Sequence, residues 1–148
     1  MLHDHEPGAT LVLVDDDSED ALMLRTAAER GEIDVRIVHL ERGQSFLDAI
    51  DQGGLPPRCL VLLDLNMPTM DGFTVLSRLR DMPTGWSVPV VVYSTSSDQL
   101  QVDRAYAEGA NAYLTKPRSL MQTIDVMGVL IRHWFAHGQL PVWRRDAR

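Results

Sequence analysis

The 148-residue sequence contains one cysteine, Cys59, and one lysine, Lys116. A single cysteine excludes an internal disulfide and fits a reducing compartment. The expected role of Cys59 is core packing. No apolar run approaches the roughly 18 residues of a membrane span. Met1 to Thr10 has no apolar signal-peptide core, so a cytoplasmic location is expected. Basic residues are in deficit, 14 against 21 acids, for a net charge of −7. An acidic chain repels phosphate backbones and anionic headgroups, which argues against binding nucleic acid or a membrane surface. There is no internal repeat, low-complexity tract or linker. With 45% apolar and 24% charged residues, the composition is that of a soluble globular protein. The length suits one domain, since domains run to about 100–200 residues. Every basic residue other than Lys116 is arginine. Against that background the lysine marks a position that needs a compact ammonium rather than a planar guanidinium.

Five short apolar runs read as strands: Leu11–Val14, Val35–Leu40, Cys59–Leu63, Val88–Tyr93 and Asn111–Thr115. Helical spacing follows each. Ser18 to Arg30 ends at Gly31, and Gln44–Ile50 puts Phe46, Leu47 and Ile50 on one face. Phe73, Leu76 and Leu79 mark a helix that stops at Met82-Pro83. Asp98 with Gln101 has the spacing of a capping box, and Val102, Ala105 and Tyr106 form the inner face of that helix up to Gly109. A last helix runs from about Ser119 to Phe135. This alternation predicts an α/β fold, a doubly wound five-stranded parallel sheet with five helices on its two faces. The expected domain is 10–136, with tails at 1–9 and 137–148.

The chemically capable residues sit just past the carboxyl ends of the predicted strands, where open α/β sheets bind ligands. Asp15 and Asp16 follow the first strand, Asp64 the third, Ser94 the fourth and Lys116 the fifth. Should the first and third strands be neighbours, three carboxylates converge and repel one another. A hard divalent cation relieves this, and Mg²⁺ takes oxygen ligands. Neither Cys nor His lies nearby in sequence, which argues against zinc or copper. The arrangement therefore reads as a Mg²⁺ site facing a phosphoryl group, cradled by Lys116 and the Ser94 hydroxyl. Asp64 is the best candidate nucleophile, since a carboxylate can form an aspartyl phosphate.

Val14-Asp15-Asp16, Leu63-Asp64-Leu65-Asn66-Met67-Pro68 with Asp71-Gly72, Ser94-Thr95, and the run from Gly109 to Pro117 together resemble the receiver domain of two-component response regulators. The match spans about residues 10–135. The resemblance, not the spacing, implies the flavodoxin-like strand order 2-1-3-4-5. It makes Asp64 the phosphoacceptor, with Ser94 and Lys116 as the other catalytic positions. Asp15, Asp16, Asp64 and the backbone carbonyl of Asn66 become the Mg²⁺ ligands, Ser94 and Tyr113 the switch pair, and Lys116–Pro117 a cis peptide. Asp17 extends the usual acidic pair to a triple and leaves the metal pair open by one position. Ser94 stands where threonine is commoner.

The implied function is that of a stand-alone receiver, itself not an enzyme in the ordinary sense. It would take a phosphoryl group from a sensor histidine kinase and switch a protein-interaction surface. Asp20 and Met23 on the first helix, with Pro117, are candidate kinase contacts. Leu120, Ile124, Met127, Ile131 and Trp134 form an apolar stripe on the last helix, and Val126, Val129, Leu130 and Phe135 widen it. That helix and the tail Gly138–Trp143 are the expected homodimer contact. The tail, with Trp134-Phe135 and Leu140-Pro141, is similar to small response regulators that partner bacterial phytochromes. His3 and His5 form a weak pair, and Trp86 is expected to cap a loop. The alternative is a phosphatase or phosphotransferase of the haloacid-dehalogenase type. Those enzymes usually carry a second aspartate two residues after the first as general acid/base, where this chain has Asn66. A degenerate receiver acting only as a scaffold ranks last, because every signature position is filled.

Overall fold

The structure, a computed structural model, describes residues 8–141. Uninterrupted apolar runs become strands covered on both faces. β1 (Thr10–Val14), β3 (Leu60–Leu63) and β4 (Val90–Ser94) are buried along their whole length. The partly exposed strands β2 (Arg36–Leu40) and β5 (Ala112–Thr115) are the two edges. All pairings are parallel and the order is β2-β1-β3-β4-β5, as the family resemblance implied. Pro89 has no N–H to give to a ladder, so β4 begins after it rather than at Val88.

The helices are α1 (Ser18–Arg30), α2 (Gly43–Gln52), α3 (Gly72–Asp81), α4 (Gln99–Ala107) and α5 (Leu120–Ile131). Alternation along each strand divides the core into two layers. Val12, Val61 and Val92 face Phe46, Ile50, Leu76 and Leu79 on one side. Leu11, Leu13, Leu62 and Val91 face Leu24, Ala27, Met127 and Leu130 on the other. Cys59 is buried in the first layer.

Three local expectations fail. The last helix ends at Ile131 and continues as a π-helical turn, Arg132–His137, in which the Gly138 N–H reaches back to the His133 carbonyl at 2.7 Å. The Asp98–Gln101 box is only half made. Asp98 accepts from the Leu100 N–H, while the buried Gln101 Oε1 has no partner among the described residues. The inner face of α4 is narrower than its sequence promised, with Ala105 buried and Tyr106 50% exposed. Trp86 is exposed, and its carbonyl accepts from Arg80. His3, His5, Val142 and Trp143 lie outside the described residues. No helix among the described residues is long and apolar enough to cross a membrane.

Candidate functional site

The order of the sheet reverses at β1, whose neighbours are β2 and β3. Val14 pairs with Leu63, so the residues that follow them, Asp15 and Asp64, leave the sheet side by side. The Asp64 N–H donates to the Val14 carbonyl at 2.9 Å, and the Asp15 N–H to the Leu40 carbonyl at 3.1 Å. His39 Nε2 donates to the Asp15 carbonyl oxygen at 2.7 Å and steadies the same turn. On the other side of Asp64, α3 approaches closely. Its Gly72 N–H donates to the Leu65 carbonyl at 3.0 Å, and a Cβ on Gly72 would stand 2.3 Å from the Asp64 carbonyl oxygen. Only glycine fits there.

One carboxylate oxygen each from Asp15, Asp16 and Asp64 lies within 4.8 Å of the others. Asp15 and Asp64 are buried and Asp16 is exposed. Asp17 is spent elsewhere, as the N-cap of α1, where its Oδ1 accepts from the Glu19 N–H at 2.9 Å. Asp17 therefore stands outside the group that Asp15 and Asp16 form with Asp64. Beside Asp16 lies a cleft of about 530 Å³, lined by Arg42, Pro68 and Met70 among others.

Lys116 arrives from the end of β5. Its N–H donates to the Ser94 carbonyl at 2.7 Å, and its Nζ lies 2.9 Å from Asp15 Oδ2, 2.7 Å from Asp20 Oδ2 and 3.4 Å from Asp64 Oδ1. Burial pushes the Asp15 carboxyl up to about 7, and a hydrogen bond shared with Asp20 adds to this against the pull of Lys116. Burial also raises Asp64, with Lys116 and the Asn66 backbone N–H opposing it. Burial works against the Lys116 charge, but hydrogen bonds to Asp20 and Asp15 outweigh it and raise its pKa. Two buried carboxylates whose charged forms burial disfavours, in an all-oxygen set, are what a hard divalent cation would neutralise; the donors fit Mg²⁺.

Ser94 is fully buried at the end of β4, and its Oγ accepts from the Ser96 N–H at 3.2 Å. Tyr113 is half-buried on β5, and its hydroxyl donates to the Ser96 carbonyl at 2.7 Å. The two switch candidates therefore meet the same β4–α4 loop. Asn66 is exposed and touches the site through its backbone N–H to the Asp64 carboxylate. No peptide bond among the described residues is cis, so Lys116–Pro117 is trans, contrary to expectation. Proline leaves only about 0.5–1 kcal/mol between the isomers, so the residue pair alone does not fix the choice. Asp20, a candidate kinase contact, keeps 28% of its side-chain surface exposed. Its carboxylate also reaches Lys116, an orientation set by how α1 sits on the sheet, which spacing does not encode.

The comparisons with known proteins agree with this geometry. The family model described as the response regulator receiver domain matches residues 11–126. The response regulator Rcp1 of Synechocystis is 30% identical over 145 residues, which cover 95% of this chain and 99% of that protein. The probable methanogenesis regulatory protein FilR2 of Methanothrix harundinacea is 32% identical over 88% of this chain and 86% of its own length. Among solved structures, the phosphorylated cyanobacterial phytochrome response regulator RcpA superposes with a TM-score of 0.80 at 28% identity, covering 90% of this chain and 98% of that one. A response regulator in red light signaling of R. palustris gives 0.79 at 30% identity with the same coverage. With its sheet order, its acidic trio and its lysine, this chain belongs to the response regulator receiver domain family of two-component signalling and is related to the phytochrome response regulators.

Proposed function

We propose that this protein accepts a phosphoryl group on Asp64 from the phosphohistidine of a sensor histidine kinase and thereby switches a protein-interaction surface. The observation that carries the reading is the convergence of the Asp15, Asp16 and Asp64 carboxylates with the Lys116 ammonium at one end of the sheet. Mg²⁺ held by Asp15, Asp16 and Asp64, with the Asn66 backbone carbonyl, would supply the positive charge that lets crowded carboxylates meet a phosphoryl group. An Asp64 carboxylate oxygen attacks phosphorus and forms the acyl-phosphate bond. The P–N bond to the kinase histidine breaks, and its electron pair returns to the imidazole ring. Lys116 answers the charge on the phosphoryl oxygens, and buried Ser94 offers its hydroxyl to them.

The Ser94 hydroxyl now serves its own loop through Ser96, and Tyr113 ties itself to the same loop. Turning Ser94 toward a phosphoryl group takes that acceptor from Ser96 and frees Tyr113 to repack. The α4–β5–α5 surface then has two arrangements whose populations phosphorylation biases. The chain promotes only its own phosphorylation and dephosphorylation. Its structural relatives, a phytochrome response regulator and one in red light signaling, support a bacterial phytochrome as the kinase.

The test is labelling with acetyl phosphate and Mg²⁺, followed by transfer from a light-gated histidine kinase. The wild type is expected to be labelled stoichiometrically, and Asp64→Asn not at all. Full labelling of Asp64→Asn would remove the assignment, and transfer indifferent to light would remove the phytochrome.

A further inference from the structure

We propose that Asp20 is a positioning residue for Lys116, which competes with the phosphoryl group for the lysine and so sets how readily the site is phosphorylated. The inference rests on the reading of Asp64 as phosphoacceptor and deepens it. An ammonium has three protons, and in the resting site they face three carboxylates. The shortest contact, 2.7 Å, goes to Asp20, and the longest, 3.4 Å, to Asp64. The lysine is thus held toward α1 and away from the residue it is needed for.

Asp20 is built to hold it. It lies in the first turn of α1, where the helix dipole favours a negative charge. Its N–H donates to the carbonyl of Asp17, whose side chain caps the same turn, so its backbone is fixed. It is not one of the three carboxylates grouped as the candidate cation site, although it shares a hydrogen bond with Asp15. A cation that claims the carboxylate of Asp15 weakens that contact to Lys116 and leaves Asp20 as the lysine's main resting partner. A phosphoryl group on Asp64 brings new anionic oxygens for the ammonium, and Lys116 must exchange Asp20 for them.

The experiment compares wild type, Asp20→Asn and Asp20→Glu at saturating Mg²⁺, recording the initial labelling rate against acetyl phosphate concentration. Asp20→Asn removes the competing charge. It is expected to lower the half-saturating concentration about fivefold, the order of a partly exposed charge contact, with a smaller change in the maximal rate. Asp20→Glu keeps the carboxylate and should return the value toward wild type. Labelling that is unchanged or weaker in a folded Asp20→Asn protein would overturn the proposal. Because Lys116 is the only lysine, selective ¹⁵N-lysine labelling gives one side-chain signal without assignment. In the wild type that signal must shift as Asp64 is labelled. A signal that stays in place on fully labelled protein overturns the exchange of partners even if Asp20→Asn fails to fold. An unlabelled wild type would sink both readings, whereas labelled wild type with an indifferent Asp20→Asn overturns this one alone.

Discussion

A carboxylate removed from water needs a counter-charge or a proton, and Asp15 and Asp64 are both removed from water. That requirement explains why acids, a lone lysine and strand ends could be read together from sequence. Asp15, Asp16, Asp64 and Lys116 each follow an apolar strand, and chain order alone places them at one edge. Asp20 escaped because its inward turn depends on the rotation of α1 against the sheet. Gly72 is the other residue whose role needed coordinates. Its amide contact to Leu65 carries α3 up against the Asp64 backbone, with no room for a methyl group. Gly72→Ala should force that approach apart. It is expected to cost about 1–3 kcal/mol in urea unfolding and to slow labelling of Asp64 as well. Wild-type values for both would show that the close approach is unimportant.

At the level of elements, apolar periodicity located every strand and helix, and it failed where hydrogen bonds override periodicity. The π-helical turn after α5 ends on the bond from the Gly138 N–H to the His133 carbonyl, and no hydrophobic pattern announces it. Arg80 is a second case. From α3 its guanidinium donates to the carbonyls of Gly85, Trp86, Val88 and Gly109 and to the Asn111 side chain. It staples the loops that precede β4 and β5, and so sets where Ser94 and Lys116 emerge. On α5 the broad apolar surface sorts itself: Met127 and Leu130 enter the core, while Met121 is 73% and Val129 57% exposed. We propose that this exposed strip joins two copies of the chain. Sedimentation should show a dimer that Met121→Lys with Val129→Lys dissociates. A monomeric wild type, or a dimer indifferent to both charges, would rule the strip out.

For the whole molecule, the site is a local cost that the rest of the fold sustains. The Asp15 pKa is pushed up from 3.8 to about 7 by burial, so between these values the folded chain keeps a proton that the unfolded chain releases. Stability in the absence of divalent cations should therefore fall as pH rises through that window. Asp64 shifts in the same direction. Asp20 is depressed despite its burial, through hydrogen bonds with Asp15 and Lys116, and its stabilising effect is lost only below its ordinary 3.8. Lys116 is raised above its ordinary 10.5, so its contribution is lost only at higher pH than that. Neither reverses the sign. Thermal melts in EDTA should show Tm declining as the pH is raised from about 4 to about 7, with Mg²⁺ restoring it at the upper end by binding the folded state. A Tm that climbs across this interval would contradict the burial argument.

The destination of the phosphoryl group decides between the proposed switch and every other reading of the site. Mass spectrometry of the intact protein after treatment with Mg²⁺ and acetyl phosphate, followed by peptide mapping, reads it directly. One added phosphoryl group is expected, carried by the peptide that contains Asp64. An unmodified protein, or a phosphoryl group on any other residue, would contradict it.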